Sequence, residues 1–130
     1  MISPTSVENT VSRYFAALRA MDVEAWVATF AQNAVSHDPV GQPPLEGHTA
    51  LRQFANNVLG LCTDFGLTEE SIFIAGNEAA VKWNGYARGK NGLEIMFAGI
   101  EVIAVDEEGT IQNVRAYWDP APVLAELQTW

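Results

Sequence analysis

Three residues far apart in the chain carry titratable groups among apolar neighbours, and together they could transfer protons. Asp38 ends a short apolar segment, and the following Pro39 favours an extended Asp38 and stiffens the loop after it. Tyr14 lies within the apolar stripe of a predicted helix, and Glu101 is the only ionisable residue in the segment 96–105. A carboxylate base with a phenol and a second carboxyl as hydrogen-bond donors is a set suited to acid–base catalysis.

Each of these residues also has a purely structural interpretation. An Asp-Pro pair is a common way to start a turn. A core tyrosine needs only one partner for its hydroxyl. Glu101 could lie on a solvent-exposed face or in a dimer contact, because a charge within an apolar strand must be exposed, paired or protonated. The occurrence of all three on different elements favours an apolar pocket with a few convergent polar groups.

The N-terminal half of the chain has the apolar spacing of three helices. In the first helix, Val7, Val11 and Tyr14 recur on one face. Asp22 is a suitable N-cap for the second, and Gly60 is a suitable end for the third. A short strand at 34–37 leads into the Asp38 loop. The helices are predicted at about 5–20, from Asp22 to 32–33, and from 47–49 to Gly60.

The C-terminal half predicts a meandering antiparallel sheet. Alternation of apolar and polar residues indicates strands, and the segment 89–92 indicates a tight hairpin turn. Gly85 and Gly99 would allow the strands to bend, so that the sheet curves over the helices. The prediction is an α+β fold with three N-terminal helices packed in a curved mixed or antiparallel sheet that encloses an apolar pocket. The strands are predicted at 65–67 with 71–74, at 79–88, at 93–105 and at 110–118, with at most a short helix at 123–127.

The composition limits the classes of partner. The 130 residues predict one domain, 1–130, with a sizeable core, and the net charge of −9 argues against binding to nucleic acid or an anionic membrane. Cys62 is the only cysteine, so no intramolecular disulfide and no thiolate metal cluster can form. The N-terminal residues lack the pattern of a signal peptide, and no apolar run is long enough to span a bilayer. We therefore expect a cytoplasmic protein.

A metal site built from His37, Asp38 and His48 is a weaker alternative. On a strand His37 points away from Asp38, and His48 follows only after two prolines. This spacing matches no standard zinc pattern. We expect neither a metal nor a cofactor.

Several motifs, taken in order, resemble the ketosteroid isomerase family within the NTF2-like (SnoaL-like) superfamily, across nearly the whole length. The segments 13–18 and 51–54 resemble helices of that family, and 38–41 resembles the loop of its base. The segments 77–80 and 114–118 resemble parts of its sheet. As a set in fixed order these motifs are fairly specific.

The resemblance implies roles for single residues. Asp38 matches the proton-shuttling base and Tyr14 the oxyanion-hole tyrosine. Glu101 stands where the family has a protonated Asp as second donor, and Ala55 stands where some members have a supporting tyrosine. The replacement of Asp by Glu moves the carboxyl by about one ångström, which can spoil a tuned hydrogen bond. The expected substrate-binding wall comprises Trp26, Phe30, Phe54, Val58, Met96, Gly99, Val114, Ala116 and Trp118.

The implied function is an isomerase that moves a proton α to a carbonyl of a small hydrophobic, steroid- or polyketide-like substrate. Two alternatives stay open: a related polyketide cyclase, dehydratase or epoxide hydrolase, and a non-catalytic module that binds a hydrophobic ligand, because a fold does not determine a function. The resemblance also implies a homodimer that uses outward sheet residues such as Tyr86 and Ile100.

Overall fold

The computed structural model describes residues 2–129, and local sequence signals set the ends of its four helices. The first helix is capped by Ser3, whose side chain accepts from the amide of Ser6, and Pro4 occupies the first turn. Asp22 caps the second helix as predicted, and Asp119 caps the last. The helices are α1 (Pro4–Arg19), α2 (Val23–Val27), α3 (Gly47–Leu59) and α4 (Pro120–Leu127).

The prediction for the second helix is wrong at its end. It stops at Val27, and Thr29 closes a tight turn by donating its amide and hydroxyl to the carbonyl of Trp26, at 3.1 and 2.7 Å. A strand begins at Phe30, because this residue pairs with Ile111 of the last strand. Phe30 is buried in either conformation, so the apolar pattern alone did not distinguish helix from strand.

Six strands form one mixed sheet, so the predicted α+β class is confirmed. In chain order they are β1 (Phe30–His37), β2 (Leu45–Glu46), β3 (Cys62–Ala75), β4 (Glu78–Gly89), β5 (Glu94–Val105) and β6 (Ile111–Tyr117). Their order across the sheet is β2-β1-β6-β5-β4-β3. All neighbours pair antiparallel except β1 and β6, which run parallel. The two predicted strand pieces at 65–67 and 71–74 belong to β3, with a shift of register between Glu69 and Ser71.

The core lies between α1 and the inward face of the sheet. Val7, Val11 and Phe15 of α1 are fully buried, as the spacing predicts. On β4 the residues Val81 and Trp83 face inward, and Lys82 between them faces outward. A continuous apolar layer therefore covers one face of the sheet, and any polar group placed in this layer is removed from solvent. Among the described residues, no helix combines the length and the apolar character needed to cross a membrane.

Candidate active site

The parallel pairing of β1 and β6 places Asp38 beside Trp118. His37, the last residue of β1, pairs with Arg115, so the two parallel strands end at the same side of the sheet. The amide of Val40 donates to the carbonyl of Ala116 at 2.9 Å and ties the Asp38 loop to β6. The indole Nε1 of Trp118 then donates a hydrogen bond of 2.7 Å to Oδ1 of Asp38. The carboxyl group is thus held in one place by strand pairing and by a side-chain donor.

Glu101 and Tyr14 reach the same interior from the sheet and from α1. Glu101 pairs with Val81 on β4 and with Ala116 on β6, and its side chain is on the inward face of β5, only 1% exposed. Tyr14 is equally buried on the inner face of α1, where its ring packs against the rings of Trp26 and Phe15. The alternative that Glu101 faces solvent is therefore excluded by its burial.

A single cavity brings the three groups together. Tyr14, Asp38 and Glu101 all line it, and the rest of its wall is apolar or aromatic. Within the described part of the chain, the wall contains no lysine or arginine to neutralise the carboxyls. Burial of carboxyls in such surroundings disfavours their charged forms.

The pKa values of the three groups move in the direction that burial dictates. Burial raises the pKa of Asp38 to about 6, against a smaller opposite effect of the hydrogen bond from Trp118. Burial, and then the charge of Asp38, raise the pKa of Glu101 well above its ordinary range, while hydrogen bonding to Tyr14 acts in the opposite direction. Burial, and then the charge of Glu101, raise the pKa of Tyr14. The environment therefore favours a neutral Glu101 and a neutral phenol beside an Asp38 that titrates near neutrality.

Several buried polar atoms at the site lack a partner. Within residues 2–129, Glu101 Oε2 and the indole nitrogens of Trp26 and Trp83 make no hydrogen bond of good geometry. The Trp26 indole nevertheless lies close enough to Tyr14 to act on the pKa of the phenol, in the lowering direction. Buried polar groups without partners are costly in a free protein, and they are available to a bound ligand.

Four of the nine residues expected in the substrate-binding wall line the cavity: Trp26, Phe54, Val58 and Trp118. Met96 does not, since it points outward from β5 and is 79% exposed. The signal that distinguishes it from its neighbour is strand alternation, because Phe97 shares the inward face with Glu101. Phe97 does line the cavity.

The other four expected wall residues lie outside the cavity for reasons of packing. Phe30 is buried behind Trp26, with ring centroids 4.9 Å apart. Gly99 is covered by the ring of Trp83, and Val114 and Ala116 are fully buried in the core of the sheet. The wall also contains residues that were not among the nine expected in it: Leu18, Ala55, Leu59, Phe65, Leu67, Trp83 and Phe97.

Two of the three residues weighed for a metal site make other contacts: Asp38 accepts from Trp118, and His48 contacts the backbone. The Nε2 atom of His48 lies 2.8 Å from the carbonyl oxygen of Phe30, in hydrogen-bond contact. In the described part of the chain, no group of three or more His, Cys, Asp or Glu side chains is arranged to hold a metal ion.

The chain is similar to known proteins both in sequence and in fold. The steroid Δ-isomerase of Nocardioides simplex is 25% identical over 118 residues, which cover 91% of this chain and 94% of that protein. The crystal structure of a Δ5-3-ketosteroid isomerase from Mycobacterium sp. superposes with a TM-score of 0.80 at 25% identity, covering 89% of this chain and 95% of the other.

The epoxide hydrolase/cyclase-like enzyme SalBIII, described for its role in pyran ring formation in the polyether salinomycin, has the same fold. Its TM-score is 0.84 at 24% identity, covering 93% of this chain and 96% of that one. The family model of the SnoaL-like domain matches residues 11–114. Because this match spans most of the chain, the protein belongs to the SnoaL-like domain family.

Proposed function

We propose that this protein is an isomerase of the ketosteroid isomerase type, which removes a proton from the carbon next to a carbonyl group and returns it to another carbon as the C=C double bond shifts. The observation that carries the proposal is the convergence of Asp38, Tyr14 and Glu101 on one apolar cavity. The similarity to steroid isomerases at 25% identity supports it.

Asp38 is the base in this proposal. With a pKa of about 6 it is charged at neutral pH, and it is still basic enough to accept a proton from a carbon acid. The hydrogen bond from Trp118 occupies Oδ1. The second carboxylate oxygen, Oδ2, then takes the proton from one carbon and returns it to another.

Tyr14 and protonated Glu101 are the donors to the carbonyl oxygen. Negative charge grows on this oxygen as the proton leaves carbon, and donors already in place stabilise that charge without reorganisation. The raised pKa of Glu101 keeps a proton on the carboxyl, which is the condition for donation. In ketosteroid isomerases a buried carboxyl that its apolar site keeps neutral acts as an oxyanion donor in the same way.

The experiment is exchange of α-protons in D₂O, followed by NMR, with a Δ5-3-ketosteroid and with a one-ring β,γ-unsaturated ketone. We expect the wild type to exchange and isomerise at least one of them. Asp38→Asn should remove both reactions, and the matched control Asp64→Asn, on the exposed part of β3, should keep them. A protein that binds these ketones and leaves their α-protons unexchanged is a binding module, and that outcome would overturn the proposal.

We also propose that the protein forms a homodimer through the outward face of the sheet. Phe73, Met96, Ile100 and Tyr117 are exposed on this face, with Phe73 at 72%. Tyr86 contributes less, because it is half-buried and its hydroxyl donates to Glu94 at 2.8 Å. An apolar patch of this kind is typical of a surface that another protein covers. Sedimentation velocity should show a dimer for the wild type and a monomer for Ile100→Lys; a monomeric wild type would refute the proposal.

A further inference from the structure

The cavity is small compared with a steroid. A water-sized sphere can occupy only about 40 Å³ of it. An engineered apolar cavity of about 150 Å³ takes up one benzene, so the resting cavity has room for a few water molecules at most. A ligand with a ring must therefore displace at least one side chain of the wall.

The side chains that line the cavity differ in their freedom to move. Phe54, Phe65 and Phe97 are half-buried, so solvent reaches them and they mark the mouth of the cavity. Trp83 is 1% exposed, and its ring packs edge-on against Phe97 and Trp118 with centroids 5.8 and 6.4 Å apart. A side chain at the mouth can turn towards solvent, whereas Trp83 has no such space.

Strand register places Trp83 between Glu101 and the mouth residue Phe97. The pairs from β4 to β5 run in the order Val81–Glu101, Trp83–Gly99 and Gly85–Phe97. Along the inward face of the sheet, the ring of Trp83 therefore lies next to Glu101, and the ring of Phe97 lies one inward-facing position further on. A ligand whose oxygen reaches Tyr14 and Glu101 from the mouth has to pass Trp83.

Glycines on β4 and β5 allow these two rings to lie close to the sheet backbone. A Cβ atom added at Gly99 would lie 2.5 Å from Cζ2 of Trp83, and one added at Gly85 would lie 2.5 Å from Cε2 of Phe97. At Gly99 the added atom would also lie 2.7 Å from the carbonyl oxygen of Tyr117, so only glycine fits under the enclosed Trp83 ring. At Gly85, in contrast, the Phe97 ring would have to turn away. Glycine at position 99 therefore allows the Trp83 ring to lie against the backbone of the neighbouring strand.

We propose that Trp83 sets the size limit of the site, and that the substrate is a carbonyl compound of one or two rings instead of a four-ring steroid. This inference rests on the proposed function and names its substrate class. One flat ring passes Trp83 when one mouth side chain moves aside, whereas four fused rings fill the space beside Trp83 and Phe97 together and require Trp83 itself to move.

The test uses three hydroxylated aromatic compounds of increasing size as mimics of the enolate: phenol, 2-naphthol and estradiol. Affinities for the wild type, Trp83→Phe and Trp83→Ala are measured by titration calorimetry, with the surface variant Leu93→Ala as control. In an open apolar pocket the largest compound binds most tightly, because it buries the most apolar area. We expect the wild type to bind estradiol at least about tenfold more weakly than 2-naphthol.

The expected trend is a graded loss of this discrimination. Trp83→Phe should reduce the difference in affinity between 2-naphthol and estradiol, and Trp83→Ala should reverse it. The control Leu93→Ala should leave this difference unchanged. Should Trp83→Ala not fold, Trp83→Phe decides alone. If Trp83→Phe leaves the difference in affinity between 2-naphthol and estradiol unchanged, the proposal is overturned.

Two further outcomes would overturn the assignment and identify its error. Tight binding of estradiol by a wild type that still exchanges α-protons refutes the size limit and leaves the proposed function standing. If the size limit shifts with Leu127→Ala of α4, and not with Trp83→Phe, the restriction lies at the mouth, because Leu127 belongs to the apolar cluster against which Phe65 and Phe97 pack. If no compound binds and no ketone exchanges, the proposed function fails as well.

Discussion

The indole Nε1 of Trp118 donates a 2.7 Å hydrogen bond to Oδ1 of Asp38, although the two residues are 80 positions apart in the chain. The bond favours the charged carboxylate and so opposes the rise in pKa that burial causes. It also holds the carboxyl at the edge of the cavity. Trp118 is therefore a positioning residue for the proposed base.

Trp118→Phe should raise the pKa of Asp38 above its value of about 6, because the variant removes the donor and keeps an aromatic ring. A base acts in its deprotonated form, so the rising limb of the profile of kcat/KM against pH should move to higher pH. The measurement is isomerisation between pH 4 and 9. A limb that stays in place, or that moves to lower pH, would show that the bond does not tune the base.

Tyr14→Phe should slow the proposed reaction by about 10²–10³-fold, which is the usual loss for one donor to a developing oxyanion. The ring and its packing against Trp26 remain, so the free energy of unfolding should change little. Tyr86→Phe is the matched control, because its hydroxyl donates to the exposed Glu94 on the outer face of the sheet, away from the cavity. Equal rates for Tyr14→Phe and the wild type would remove Tyr14 from the mechanism.

Glu101→Gln should make stability less dependent on pH. The pKa of Glu101 lies well above its ordinary 4.5 in the folded protein, so above pH 4.5 the folded state binds more protons than the unfolded state. The free energy of unfolding then falls as pH rises, by about 1.4 kcal/mol per pH unit from this group, until the folded pKa is reached. Asp38 adds a fall of the same sign between its ordinary 3.8 and about 6.

Urea denaturation of wild type and Glu101→Gln at pH 5, 6, 7 and 8 checks this prediction. The difference between the two proteins isolates Glu101 from other carboxyls, such as Asp106, whose pKa is lowered by its hydrogen bonds with Thr110 and so acts in the opposite direction. If the free energies of unfolding of the two proteins change with pH in the same way, Glu101 does not titrate with a raised pKa.

Gly99→Ala should destabilise the protein by about 1–3 kcal/mol, the usual cost of overpacking a filled core. The added methyl group would lie 2.5 Å from the Trp83 ring and 2.7 Å from the carbonyl oxygen of Tyr117. Ala98→Val adds bulk at the neighbouring exposed position and should stay near the wild-type stability. Thermal unfolding of both variants gives the comparison, and equal Tm values would show that the ring over Gly99 is free to move.

Local patterns in the sequence determined most of the framework. Helical spacing identified the buried face of α1 with Tyr14. The single charge in 96–105 marked Glu101 as a candidate site residue, and its burial was then shown by the structure. These signals are readable because the periods of helix and strand are properties of the backbone itself. The same alternation that buried Glu101 also separates Phe97 from Met96, so that distinction was present in the sequence.

Only the tertiary structure decided which distant elements meet. The parallel pairing of β1 with β6 brought Trp118 to Asp38, and the register of β4 with β5 set Trp83 over Gly99. Neither contact leaves a periodic trace, because a strand shows the same alternation whichever strand it pairs with. The size of the cavity was undetermined for the same reason: it depends on how rings from separate strands pack together.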